Sequence, residues 1–183
     1  MTSRDENIVD ASPLYAPEIA PLVWMMEDTR RRTKEALAGL SDEVVNWAPA
    51  DQALGVLNSI GSILYHIAAI ELDWLYTEIL EIEGFPPELE PLILYEVREE
   101  NGRLTPVLTE SLATHLQRLD AGRALFLSFM QKLDAADFYR VRHLEPYDVT
   151  PQWVLHHLMQ HEAEHRGQLM EVRRLAEAMM GAK

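Results

Sequence analysis

Residues 153–168 read WVLHHLMQHEAEHRGQ, and this stretch decides both the fold class and the candidate chemistry. It places His157, His161 and His165 four residues apart, so a helix would carry their imidazoles along one ridge. With an advance of about 100° per residue, the ridge shares its face with apolar residues such as Val154 and Leu158. We therefore expect an amphipathic helix whose histidines point into the protein core.

Inward-facing histidines are typical of a site for a transition metal. Neutral imidazole is a common metal ligand, and a buried ring nitrogen needs a partner. Another helical segment, around residues 60–80, carries His66 on the same side as Ile63, Ile67 and Trp74. Taken alone, His66 also fits a hydrogen-bonded core histidine. Two histidines at positions i and i+4, together with a third from a neighbouring helix, would form a triangular face with an open fourth position.

Composition limits the classes of protein to which the chain can belong. The 183 residues, of which 48% are hydrophobic, suit one domain spanning residues 1–183, with residues 1–16 extended. The absence of cysteine excludes disulfides, thiolate ligands and a cysteine nucleophile. A formal charge of −14 disfavours nucleic acid as a partner. No apolar run approaches the roughly 20 residues of a membrane span, so we expect a soluble, cytoplasmic protein.

Proline and glycine divide the sequence into four helical blocks. They cover about residues 22–40, 58–80, 109–133 and 151–181, and Thr150 and Pro151 mark the start of the last block. Four long helices predict an all-α, four-helix bundle. The proline-rich connection over residues 83–108 is far longer than a hairpin needs, so it would let the second and third helices run in the same direction. The only candidate strand is the stretch Phe138–Arg142.

Several other residues near the histidines are candidates for supporting roles. Glu162 and Glu164 are candidate catalytic groups, as bases or as groups that orient a ligand, although ordinary helix-surface charge is the simpler interpretation. Asp73 lies near the core-facing side of the second block and can orient a ligand. Arg166 points away from the ridge, which predicts an inter-helical contact. Gly167 is expected to allow another helix to approach closely.

Two short metal motifs also match the last block, and both are discounted. Residues 161–165 read HEAEH, the H-E-x-x-H pattern of zinc peptidases. Such enzymes need a third ligand further along the chain, and this sequence has no suitable residue at the required distance. Glu162 and His165 also form the Glu-x-x-His unit of di-iron bundles, which require that unit twice. The sequence has it once. A mononuclear site is therefore the preferred interpretation.

Two segments resemble the signature segments of the DinB/YfiT-like family. They are NSIGSILYHIA at residues 58–68, followed by Trp74, and the histidine ladder that ends in HRGQ at residues 165–168. The resemblance implies a four-helix bundle of up-down-down-up order with a long crossover between helices 2 and 3. It also implies three ligands, His66, His161 and His165, for one divalent ion, zinc or nickel first and iron or manganese as alternatives. His157 is then an alternative ligand or a residue that orients one.

The family resemblance and the residue chemistry together suggest two classes of function. Characterised relatives are similar to S-transferases that use a low-molecular-weight thiol, and a few are hydrolases. Because this chain has no cysteine, the reactive sulfur of a transferase would arrive on a small cosubstrate activated by the metal. Hydrolysis by a metal-bound hydroxide is the second enzymatic hypothesis. The alternative is a non-catalytic, metal-stabilised, ligand-binding bundle in which His157 closes the site. Relatives are often homodimers, and the composition of the chain is compatible with either a monomer or a homodimer.

Overall fold

The structure is a computed structural model that describes residues 8–49, 57–100 and 102–181. Helices dominate the described residues, which confirms the all-α fold class. They are α1 Ala20–Leu37, α2 Asp42–Val45, α3 Ile60–Trp74, α4 Leu112–Met130, α5 Ala135–Tyr139 and α6 Pro151–Gly181. Helix α3 continues into a π-helical turn, Leu75–Ile79, and a short 3₁₀ turn, Pro87–Leu89, lies in the crossover. Strands β1 Arg142–His143 and β2 Asp148–Val149 form an antiparallel hairpin before α6.

Hydroxyl side chains set the first turns of three of the long helices. Ser59 accepts a hydrogen bond from the backbone N–H of Ser62 at 3.0 Å, and Ser111 does the same for the first turn of α4. Thr150 accepts from the backbone N–H of Trp153 at 3.2 Å, which confirms the predicted start of α6. These caps satisfy N–H groups that have no partner within the helix, so the helix starts can be read from the sequence.

Helices α3 and α4 lie side by side and run in the same direction. Gly61, near the start of α3, lies against His115 near the start of α4. Further along, Glu71 of α3 pairs with Arg123 of α4 at 2.6 Å. Two parallel neighbours need a connection that returns along the whole bundle. The long segment between them supplies it, as the sequence predicted.

Helices α1 and α6 also run parallel to each other. Arg30 of α1 pairs with Glu162 of α6 at 2.8 Å, and Arg173, about three turns later in α6, donates to the carbonyl of Ala36 at 2.8 Å. Helix α6 packs against both α1 and α3. The histidines of α6 therefore lie on a helix that packs against a member of each parallel pair.

The core has an ionic layer between two apolar layers. One apolar layer contains Phe126 and Leu158, and the other contains Leu119 and Leu169. Between them lies a buried Arg–Glu cluster to which α1, α3, α4 and α6 each contribute one residue: Arg30, Glu71, Arg123 and Glu162. Each of these four side chains is at most 6% exposed. All four long helices are thus tied together at mid-height.

Two sequence-based predictions about secondary structure and helix packing are wrong. The stretch Phe138–Arg142 is not a strand, because Asp134 caps a short helix, α5, through the N–H of Asp137 at 2.8 Å, and β1 starts only at Arg142. Gly167 is not a point of close helix approach, since a Cβ atom there would meet no heavy atom within 4 Å.

The remaining expectations concern the chain ends and membrane association. The predicted extended N-terminus, residues 1–16, lies outside the described residues over positions 1–7, and residues 8–16 form neither helix nor strand. Among the described helices, none combines the length and the apolar character needed to cross a bilayer.

Candidate metal centre

Helices α3 and α6 bring three histidine rings together, and we call them the three-His group: His66, His161 and His165. The Nε2 atom of His161 lies 3.1 Å from Nε2 of His66 and 3.1 Å from Nε2 of His165. One ligand atom from each of the three lies within 4.8 Å of the other two. Convergence of three acceptor nitrogens at such distances suits a single ion bound by imidazole.

The tautomer of His165 favours the same interpretation. Its Nδ1 lies 2.9 Å from Oε1 of Gln168, one turn further along α6. An amide oxygen only accepts, so Nδ1 carries the proton, and the lone pair of Nε2 faces the other two rings. Such an outer hydrogen bond fixes the ring orientation and raises the basicity of a ligand nitrogen.

Burial keeps all three imidazoles neutral at physiological pH. Burial, together with repulsion between the histidines, lowers the pKa of His66 to about 3 and that of His161 to about 4. Burial also lowers the pKa of His165. The positive charge of Arg98, on the crossover, adds to the same effect. Neutral imidazole is the form that binds a metal, so the group needs no deprotonation step.

His66 is the most enclosed member of the group. It is 1% exposed, and its Nδ1 atom has no hydrogen-bond partner among the described residues. A buried nitrogen without a partner is costly, so the hydrogen bonding of His66 in the core is incomplete. Its other nitrogen, Nε2, points at His161.

His157 lies on the same ridge of α6 but packs differently. Its ring stacks on Trp153 at a centroid distance of 4.9 Å and lies 4.3 Å from Trp74 of α3, whereas the ring of His161 is 6.0 Å away. Since Trp74 follows His66 while Trp153 precedes His161, α3 and α6 are antiparallel. With the two parallel pairs, the chain order is up, down, down, up. The structure thus places His157 in an aromatic stack beside the three-His group.

The two glutamates next to the histidines occupy opposite environments. Glu162 is 2% exposed, and its two oxygens accept from Arg30 at 2.8 Å and from Arg123 at 3.3 Å, so it is a member of the Arg–Glu cluster. The prediction of ordinary surface charge is wrong for this residue. Glu164 is exposed, accepts from Gln160 at 3.0 Å and lines a pocket of about 440 Å³. Of the two, only Glu164 faces a space that a small molecule can enter.

Charge within the Arg–Glu cluster is balanced by short contacts. Although burial opposes it, Arg123 and Arg30 hold the pKa of Glu71 below its ordinary value. Arg123 also donates to Glu27 at 2.7 Å and to the carbonyl of Met26 at 3.0 Å. Charge-assisted hydrogen bonds therefore link every member of the cluster to at least one other member.

The other predicted residues lie away from the three-His group or on its margin. Asp73 is half-buried, and burial raises the pKa of its carboxyl group, against a hydrogen bond from Thr77. Arg166 donates to the carbonyl of Thr29 at 3.3 Å, which confirms the predicted contact between helices. His156 is exposed, as predicted from its position on the polar face.

Comparison with known proteins identifies the family of the chain and a solved structure with a similar fold. A family profile described as the DinB superfamily matches residues 25–169. The chain belongs to the DinB superfamily. A crystal structure of a conserved protein from Enterococcus faecalis is similar, with a TM-score of 0.66 and 19% sequence identity, over 87% of this chain and 97% of the other. That likeness concerns the fold of this DinB-superfamily protein. The comparison with curated proteins found no match.

Some residues of the site were not singled out from the sequence. Gln168 lies three residues after His165, a spacing that places both on one face of a helix, so the spacing alone could have indicated the contact. Arg30 and Arg123, which are the partners of Glu162, carry no such local signal. They lie 132 and 39 residues from it in the chain.

Proposed function

We propose that this DinB-superfamily protein binds one divalent metal ion through the three-His group and acts on a small molecule as a metal-dependent enzyme. The observation that carries the proposal is the convergence of three Nε2 atoms with no fourth donor residue in the same group among the described residues. His157, the obvious candidate for closing the site, is instead stacked on Trp153 and lies in a tilted ring contact with Trp74. A metal site with three protein ligands retains a position for water or substrate.

Ligand chemistry narrows the choice of metal. An all-imidazole site without thiolate or carboxylate donors suits zinc or nickel, with iron next. When bound, such an ion supplies a Lewis acid that lowers the pKa of a thiol or water in its open position. Because the three-His group is neutral, it does not compensate the double positive charge of the ion. The uncompensated charge would lower the pKa of the bound thiol or water more strongly.

The chain's own residues prepare the site in three ways. Gln168 holds the His165 ring so that its Nε2 lone pair faces the site. The Arg–Glu cluster fixes α3 and α6 relative to each other, because Glu71 and Glu162 share the same arginines. Glu164 and Gln168 line the pocket of about 440 Å³, whose size suits a small-molecule substrate. Two carboxylates, Glu164 and Glu171, line this pocket, and Glu164, the neighbour of His165 in the chain, is the one to which we assign acceptance of a proton from a ligand there.

We favour transfer of a low-molecular-weight thiol to an electrophile as the reaction. The protein contains no cysteine, so it has no thiol nucleophile of its own, and an external thiol would be deprotonated in the open position. The thiol sulfur would then attack the electrophilic carbon while the leaving group departs with its electron pair. The proton of the thiol would pass to Glu164 or to solvent.

A conjugation assay tests this proposal. The zinc- or nickel-loaded protein is incubated with glutathione, bacillithiol or mycothiol and with monochlorobimane, and the fluorescent conjugate is measured. We expect acceleration that His165→Ala abolishes, whereas His156→Ala, a change at an exposed histidine of the same helix, leaves it intact. No acceleration with any of the three thiols by a protein shown to hold its metal would overturn the transferase assignment. Hydrolysis of model esters and amides by the same preparation would instead support the hydrolase.

A further inference from the structure

A second pocket lies at the other end of the aromatic stack, and we call it the tryptophan pocket. Its volume is about 400 Å³, and it is lined by Val141, Tyr147, Asp148, Val149, Thr150 and Trp153. Trp153 lies eight residues before His161 in α6, about 12 Å along the helix axis. The pocket therefore shares no residue with the three-His group.

Stacked aromatic rings form one wall of this pocket. The Trp74 ring stacks on Tyr147 at a centroid distance of 6.3 Å and on Trp153 at 5.5 Å. Tyr147 and Trp153 remain 42% and 48% exposed, although both are large apolar side chains next to a concave surface. Exposed aromatic faces that line a cavity indicate a ligand that they cover.

A buried carboxylate lies directly behind the aromatic wall. Glu78, in the π-helical turn after α3, is 4% exposed and accepts a hydrogen bond from the Tyr147 hydroxyl at 2.7 Å. Its second oxygen, Oε2, is buried and has no hydrogen-bond partner among the described residues. A buried carboxylate oxygen without a donor is unfavourable unless a cation or a proton balances it.

Two further acidic residues, Asp73 and Asp148, lie near Glu78 or on the wall of the tryptophan pocket. Asp73 is close enough to raise the pKa of Glu78, after burial, which has the largest effect. Asp148 lies on the pocket wall, where it pairs with the exposed His143. Arg142, the buried cation of the adjoining strand, is bound to Asp137 at 2.9 Å and to backbone carbonyls. The charge of Arg142 is therefore paired with groups outside the pocket.

We propose that the tryptophan pocket binds a small organic cation, a ligand with a quaternary ammonium group lying against Tyr147 and Trp153. Aromatic faces attract such cations through their ring quadrupoles. The hydrogen bond from the Tyr147 hydroxyl to a carboxylate enriches its ring in electrons, and Glu78 and Asp148 supply the opposite charge. An anion would be repelled, and a neutral apolar ligand would leave Glu78 unbalanced. The inference goes beyond the proposed metal-dependent activity and does not require it.

Titration with a matched pair of ligands tests the proposal. Choline and its neutral isostere 3,3-dimethyl-1-butanol are each titrated into the metal-free, full-length protein, followed by tryptophan fluorescence and calorimetry. We expect choline to bind at least about tenfold more tightly than the alcohol. Glu78→Gln, which removes the charge but keeps the shape, should weaken choline binding by about 5- to 30-fold. Glu145→Gln, at an exposed position two residues from Tyr147, controls for a general loss of negative charge.

Further variants separate the possible outcomes. Trp153→Leu changes an exposed side chain and should weaken choline binding even if Glu78→Gln fails to fold. Loading the three-His group with zinc should leave choline affinity unchanged, because the two sites share no residue. Equal binding of choline and the alcohol, no binding of choline up to roughly 30 mM, or equal effects of Glu78→Gln and Glu145→Gln would each overturn the proposal.

Discussion

Glu162→Gln tests whether the Arg–Glu cluster holds the bundle in register around the three-His group. The substitution keeps the shape of the side chain and removes its charge. Glu162 is 2% exposed, and it accepts from Arg30 at 2.8 Å and from Arg123 at 3.3 Å. A glutamine presents one oxygen and one amide group, so one of these two donors would face another donor.

The size of the effect follows from what remains in the cluster. Removing one partner of a buried ion pair costs about 3–5 kcal/mol, because the other charge is left uncompensated. Here both arginines retain Glu71, at 3.1 Å from Arg30 and 2.6 Å from Arg123, and Arg123 also retains Glu27. We therefore expect a loss near the lower limit, about 3 kcal/mol of unfolding free energy.

Urea unfolding followed by circular dichroism measures this loss. With a slope of about 2–3 kcal/mol per molar urea, the midpoint should fall by roughly 1 M. Glu35→Gln is the matched control, because its partner Arg31 lies on the surface of the same α1 helix that supplies Arg30. We expect it to change the midpoint much less. A loss below about 1 kcal/mol for Glu162→Gln, or one no larger than that of the control, would refute the reasoning.

Three further predictions concern packing, the tautomer of His165 and acid stability. Gly61→Ala should destabilise the protein by about 1–3 kcal/mol in urea unfolding, because the new Cβ would lie 2.7 Å from the backbone oxygen of Val107, which outweighs a gain of roughly 1 kcal/mol in helix propensity. Gln168→Leu should weaken zinc binding about 10- to 100-fold in a competition titration, since Nδ1 of His165 loses its acceptor. The metal-free protein should lose unfolding free energy as the pH falls from about 6.5 towards 4, by up to about 1.4 kcal/mol per pH unit for each histidine. The reason is that the pKa values of His66 and His161 in the folded protein, about 3 and about 4, lie below those in the unfolded chain.

Each of these predictions has a control in the same chain. Gly167→Ala has open space around its Cβ and should be neutral or stabilising, so equal loss at both glycines would contradict the packing argument. Gln160→Leu, an exposed glutamine of α6 that bonds Glu164, should leave zinc affinity unchanged. His66→Leu should reduce the slope of the unfolding free energy against pH in this acidic range. A slope equal to that of the wild type would show that His66 takes up its proton before unfolding.

Local sequence patterns were sufficient for the four long helices and for two of the three histidines, whereas the short helices α2 and α5 were missed. Spacing of four residues puts His161 and His165 on one face, and hydroxyl and proline signals mark where α6 begins. His66 required a second pattern on another helix, and the antiparallel packing of α3 against α6 brings the two patterns together. The family resemblance, confirmed by the profile match over residues 25–169, selected the same three residues.

The parts that the sequence did not predict depend on tertiary contacts. Glu162 looks like surface charge on a helical projection, because its burial is caused by arginines on α1 and α4. The open environment of Gly167 depends likewise on which helices pack there. Glu78 has its hydrogen-bond donor only because the β1–β2 hairpin brings the Tyr147 hydroxyl to it. Such residues carry no periodic signal of their own.

Metal analysis of protein purified without an affinity tag or added metal is the most direct test of the three-His centre. The wild type is compared with the double variant His66→Ala, His161→Ala and with a matched double variant, His143→Ala, His156→Ala, which removes two exposed histidines. We predict about one equivalent of zinc, nickel or iron in the wild type and in the matched variant, and none in the His66/His161 variant. No metal in the wild type and no uptake on titration, or equal loss in both double variants, would contradict the account.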